Sequence, residues 1–177
     1  LVVRELFDRG EISRFAVLCP PHLVDQWTGE LKRHFHFNAV ALTGRTVTRL
    51  ERDIPAGESI FDHYKAVVIS LDYIKSEKHR DNFLSAAPEF IVVDEAHTCS
   101  HGGVGTQYRY DLVRKLAADS SRHMLLLTAT PHSGDREAFY RLIALLRPEF
   151  HALMEERKDD KELRAELGRH FVQRHRI

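Results

Sequence analysis

Phe90-Ile91-Val92-Val93-Asp94-Glu95-Ala96-His97 sets two adjacent carboxylates directly after four apolar residues. Three of those four are Ile or Val. A short unbroken run of this kind predicts a strand buried on both faces, typical of a parallel sheet. In an open α/β sheet, ligands bind in the crevice beyond the C-terminal ends of the strands, and Asp94 and Glu95 are expected there. A carboxylate pair beside a hydrophobic strand is costly to bury unless a metal or a ligand compensates. The pair suits one carboxylate holding a hydrated Mg²⁺ on a nucleotide and the other orienting an attacking water. A strand that merely runs into an acidic loop would look the same in isolation, so the rest of the chain has to decide.

Working outward, similar runs over residues 15–18, 37–42, 66–70 and 123–128 predict four further strands. Helical patterns alternate with them. Residues 1–9 put Val2, Val3, Leu6 and Phe7 on one face, with Gly10 as the C-terminal cap. Pro20-Pro21 stops the first strand, and residues 22–35 carry Leu23, Trp27 and Leu31 at four-residue spacing. Trp27, the single tryptophan, reads as core on that stripe and not as a platform for stacking bases. Residues 77–86, 107–118 and 136–146 complete the helices, the last with Phe139, Leu142, Ile143 and Leu146 on one face and Pro148 at its end. Residues 45–60 are polar and hard to place, with a turn at Pro55-Ala56-Gly57. Residues 100–105 read as a loop, and residues 154–167 as a charged, solvated helix or linker. Strand–helix alternation implies parallel strands with right-handed crossovers, so the fold class is α/β: a three-layer sandwich with a mostly parallel sheet.

The 177 residues suffice for one domain with a real core. No apolar run approaches the roughly 20 residues of a membrane helix, and no basic-then-apolar leader opens the chain. Lys plus Arg and Asp plus Glu balance at 26 each, so any attraction to nucleic acid must come from a local surface. Two cysteines, Cys19 and Cys99, suggest no disulfide framework and fit a reducing compartment. Cys19 with His22, and His97 with Cys99 and His101, could in principle converge on zinc, but their spacing matches no standard module.

Val93-Asp94-Glu95-Ala96-His97 resembles the Walker B motif of superfamily-two helicases in its DEAH spelling. Leu126-Leu127-Thr128-Ala129-Thr130-Pro131 is similar to their motif III. Leu18-Cys19-Pro20-Pro21-His22-Leu23-Val24-Asp25-Gln26-Trp27 resembles motif Ia of the Swi/Snf-like branch, and Val68-Ile69-Ser70-Leu71-Asp72-Tyr73-Ile74 resembles the block that follows it. Four blocks in the right order cover most of residues 1–150. The resemblance implies a RecA-like P-loop NTPase lobe that uses ATP and Mg²⁺. Asp94 would hold Mg²⁺ through water, Glu95 would act on the attacking water, and His97 would couple to motif III at Thr128, Ala129 and Thr130. Pro20, Pro21 and His22, extended by Thr43, Gly44, Arg45 and Ser70, would follow the nucleic-acid backbone, giving affinity without sequence preference. The partners it implies are duplex DNA and a second RecA-like lobe. No membrane is involved, and the location would be cytoplasmic, or nuclear in a eukaryote.

One element of that pattern does not occur in the 177 residues: the Walker A run G-x-x-x-x-G-K-[ST], whose backbone amides and lysine hold the phosphates. In the family it lies just ahead of the helix that residues 1–9 stand for, on a strand in the middle of the sheet. Its loss would leave strand edges unpaired. Phe171-Val172-Gln173-Arg174-His175-Arg176 resembles the basic segment leading out of the first lobe. Residues 1–150 are therefore expected to be a helicase ATP-binding lobe without its Walker A strand, and residues 151–177 a charged segment leading towards a second lobe. The function expected is that of a fragment of an ATP-dependent DNA translocase, weakly active or inactive by itself. The alternative is a nucleic-acid-binding or scaffold module that has discarded catalysis.

Overall fold

Five of the apolar runs become strands in the computed structural model, which describes residues 1–99, 107–129, 136–147, 150 and 161–172. They are β1 (Phe15–Cys19), β2 (Val40–Leu42), β3 (Ala66–Ser70), β4 (Phe90–Val93) and β5 (His123–Leu126). All pair in parallel, in the order β2-β3-β1-β4-β5. The central strand is β1, whose Val17 lies level with Val68 on one side and Val92 on the other.

Successive strand residues face opposite sides of a sheet, and both sides are covered here. Ala16, Leu18, Val67, Ile69, Ile91 and Val93 pack towards α3 (Val47–Arg52), α4 (Ile60–His63), α5 (Glu77–Ser85), α6 (Gln107–Ala117) and α7 (Arg136–Ala144). Phe15, Val17, Cys19, Val68 and Val92 pack towards α1 (Val2–Asp8) and α2 (Val24–Phe35). The expected three-layer α/β sandwich is the architecture. The charged tail includes α8 (Lys161–His170); residues 151–160, residues 173–177 of the expected basic segment, and the loop at 100–105 lie outside the described residues.

Two local expectations differ from what forms. The strand expected over 37–42 is confined to Val40–Leu42. His36 adopts a left-handed conformation (φ 57°), and the Phe37 N–H returns to the Leu31 carbonyl at 3.1 Å, so this segment closes α2. The Phe37 ring then fills the core edge-on to Phe7 and Phe15, at 5.1 and 4.8 Å. Residues 45–60 are not featureless: two short helices bury Leu50, Ile60 and Phe61, and Ser59 caps α4 by accepting the Phe61 N–H. β5 forms one edge, and its Met124, Leu125 and Leu126 are only half-buried, in contrast to the fully buried β1, β3 and β4.

Phe83 of α5 is fully buried and packs edge-on to Phe61 at 4.9 Å. Phe83→Ala is expected to cost about 3 to 5 kcal/mol, measured as a fall in the urea midpoint. A loss near zero would mean that α5 does not close this face.

Candidate active site

The parallel ladders continue past the last paired residues. The Asp94 N–H donates to the Leu18 carbonyl at 2.8 Å, and the Leu71 N–H to the Cys19 carbonyl at 2.9 Å. On the other side, the Leu127 N–H reaches the Val93 carbonyl and the Ala96 N–H reaches the Leu127 carbonyl, both at 2.8 Å. The acidic turn is thus fastened by its backbone to β1 and to the chain leaving β5, before any side chain is considered.

Asp94 is half-buried and each of its oxygens accepts one hydrogen bond. Oδ1 accepts the Glu95 N–H at 2.9 Å, and Oδ2 accepts the indole N–H of Trp27 at 2.7 Å. Glu95 sits in the left-handed region (φ 50°), and its Oε2 lies 3.2 Å from Nδ1 of His97. The same Nδ1 lies 3.1 Å from Oγ1 of Thr128. A nitrogen facing a carboxylate is favoured as N–H, so the Nδ1-H tautomer fits best, shared between Glu95 and the threonine hydroxyl. Asp94, Glu95, His97 and Thr128 therefore come together as one cluster bridging the ends of β4 and β5.

The residues expected along nucleic acid lie at the same edge of the sheet. Pro21 opens a 3-10 turn (Pro21–Leu23) that runs into α2, and Pro21 and His22 are exposed while Pro20 is half-buried. Past β2, the Thr46 hydroxyl donates to the Ala41 carbonyl at 2.6 Å and accepts the Thr43 N–H at 2.9 Å, holding a turn that exposes Gly44 and Arg45. Ser70 is different. It is 3% exposed, and its hydroxyl accepts the Asp72 N–H at 3.2 Å, shaping the loop after β3 from within. Ala129 is exposed; Thr130 lies outside the described residues.

Sequence reasoning missed the contact of Trp27 with Asp94. Trp27 does pack on the apolar face with Val24 and Leu31. The available signal was chemical: an indole N–H on a half-covered ring seeks an acceptor, and the sheet edge beside it carries carboxylates. Burial, and secondarily the charge of Asp94, pushes the Cys19 thiol up to about 12, and burial pushes Cys99 up to about 11. Both thiols are neutral and poor nucleophiles at neutral pH.

A Mg²⁺ carried by nucleotide phosphates keeps several waters and needs only one or two carboxylates from the protein. Asp94 fits that demand, because each of its oxygens keeps acceptor capacity beyond the hydrogen bond it makes. Among the described residues no group of three or more His, Cys, Asp or Glu gathers as a metal cage, and no helix is long and apolar enough to cross a membrane.

A family model described as the SNF2-related domain matches residues 2–163. The chain belongs to the SNF2-related domain family. Among its relatives, an uncharacterized ATP-dependent helicase, YqhH, of Bacillus subtilis (strain 168) is 30% identical over 148 residues, 84% of this chain and 23% of the relative. The RNA polymerase-associated protein RapA of Vibrio atlanticus (strain LGP32) is 31% identical over 163 residues, 88% of this chain and 16% of RapA. This SNF2-related chain thus spans under a quarter of those relatives' length. The solved SWI2/SNF2 ATPase core of Sulfolobus solfataricus, in complex with dsDNA, shares the fold with a TM-score of 0.62 at 18% identity. That likeness covers 83% of this chain and 28% of the other.

The raised Cys19 thiol makes a testable demand on stability. The folded state holds its proton to about 12, whereas the unfolded thiol releases it near its ordinary value of 9.0. The stabilisation is therefore complete below pH 9 and is lost as pH rises towards 12. Relative to Cys19→Ala, the native SNF2-related domain should lose about 1 kcal/mol per pH unit above pH 9 in urea titrations. A gap independent of pH would mean that water reaches the thiol.

Proposed function

We propose that this chain is part of the ATP-hydrolysing lobe of a motor that moves along duplex DNA. The observation that carries the reading is the cluster at the ends of β4 and β5, where Asp94, Glu95, His97 and Thr128 contact one another in sequence. ATP, Mg²⁺, duplex DNA and a second RecA-like lobe are its proposed ligands and partners. Family membership supports an ATPase parent, and the dsDNA in the Sulfolobus complex supports the choice of track.

Mg²⁺ held here would supply positive charge to offset the charge that develops during phosphoryl transfer. Asp94 would hold it through a water molecule. Glu95 would orient the attacking water and take up its proton. His97, pinned between Glu95 and Thr128 through one nitrogen, would hold the Glu95 carboxylate in register with motif III. Pro20, Pro21 and His22, with Thr43, Gly44 and Arg45, would meet the DNA backbone. Ser70 would act by keeping the adjoining loop in shape.

No run among the 177 residues supplies the amides and lysine of a phosphate loop. By themselves these residues are therefore inferred to turn ATP over weakly or not at all. The test belongs in the full native protein, with ATP hydrolysis measured with and without duplex DNA. Glu95→Gln should lower the DNA-stimulated rate by about 100-fold or more while nucleotide still binds. A wild-type rate for Glu95→Gln would overturn the catalytic reading and leave a binding or scaffold role. Stimulation by RNA in place of DNA would overturn the track.

A further inference from the structure

The contact between Trp27 and Asp94 joins two parts of the chain 67 residues apart, and packing alone does not require it. Trp27 is only half-buried, so water could satisfy its indole N–H. Instead the N–H meets a carboxylate oxygen at 2.7 Å, in the short range of charge-assisted hydrogen bonds. The other oxygen of Asp94 is held by the backbone N–H of Glu95 at 2.9 Å. One oxygen is thus tied to the turn itself and the other to helix α2. The carboxylate cannot rotate without breaking both bonds.

We propose that Trp27 is a positioning residue: its indole N–H fixes the Asp94 carboxylate and links it to helix α2. The proposal rests on the reading above, in which Asp94 holds Mg²⁺ through water. Loss of a partner that orients a metal-binding group typically weakens metal affinity by about 10- to 100-fold. Helix α2 follows directly on the exposed Pro21 and His22. A displacement of that helix would therefore pull on the oxygen that Trp27 holds. The link runs through one hydrogen bond, so removing a single N–H group breaks it and leaves the packing of Trp27 on Val24 and Leu31 in place.

The experiment is a Mg²⁺ titration of the full native protein, read both as DNA-stimulated ATP hydrolysis at saturating ATP and as Mg²⁺-dependent binding of a non-hydrolysable ATP analogue, where the same shift is expected. Three variants are compared with wild type: Trp27→Phe, Trp27→benzothienylalanine and Asp94→Asn. Benzothienylalanine keeps the shape of tryptophan and replaces the N–H by sulfur, so it decides the matter even where Trp27→Phe fails to fold. The expected result for both Trp27 variants is a rise of about tenfold in the Mg²⁺ concentration giving half-maximal rate. For benzothienylalanine the thermal midpoint should stay at its wild-type value. A reduced rate with an unshifted Mg²⁺ dependence would assign Trp27 a packing role and overturn the proposal. So would wild-type behaviour of the benzothienylalanine protein beside an inactive Asp94→Asn. If Asp94→Asn itself hydrolyses ATP normally, the reading of Asp94 fails, and the proposal falls with it.

Discussion

The backbone hydrogen bond from Asp94 to Leu18, one step beyond the last paired residues of β4 and β1, sets the position of everything at this edge. Parallel pairing forces it: once Val93 lies level with Leu18, the next N–H of β4 points at the Leu18 carbonyl. β1 in turn is held on its other side by β3, and both are buried on both faces. The acidic turn therefore inherits the rigidity of the middle of the sheet. A carboxylate carried by a free loop would have to be ordered anew each time a ligand arrived, at an entropic cost of about 1 to 2 kcal/mol for each residue fixed.

That rigidity has costs of its own, and they fall on the neighbours. Glu95 takes a left-handed conformation, which a residue with a Cβ adopts at a penalty of about 1 to 2 kcal/mol. The turn recovers part of this through the bonds of Ala96 to Leu127 and of Thr98 to Glu95, at 2.8 and 2.9 Å. Cys19, at the end of β1 and close to the Asp94 charge, must keep its proton. These features share one origin: a charged group placed against the end of an apolar strand, with hydrogen bonds substituting for part of the water it gives up.

The main lines of this arrangement were legible in the residues. Phe15–Cys19, Ala66–Ser70 and Phe90–Val93 are unbroken apolar runs, and burial on both faces is the simplest environment for them. The order of motifs then marked which strand ends would gather. What could not be read is what depends on distance across the fold. The strand order does not follow the chain, since β1 lies between β3 and β4. Phe37 looked like strand because its apolar character is the same whether it pairs or plugs, and the left-handed His36 that decides the matter carries no strong local signal. Leu50, Ile60 and Phe61 lie in helices of six and four residues, too short to display a helical period. Trp27 satisfied a core pattern so well that its polar end went unread.

The two ends of the cluster are held by different kinds of contact. Asp94 is fixed through its carboxylate by one backbone N–H and one indole, neither of which changes charge near neutral pH. Glu95 is held by the imidazole of His97, through the ring nitrogen that also meets Thr128. Nδ1 of His97 serves both Glu95 and Thr128, so a shift of the threonine at the end of β5 redistributes a hydrogen bond that the glutamate also uses. Under the proposed reading, the metal-holding carboxylate belongs to the stable half of the site. The water-orienting one belongs to the half that responds when the chain beyond β5 moves. Adjacent carboxylates with separate supports thus place a fixed group and a responsive one within one turn of chain.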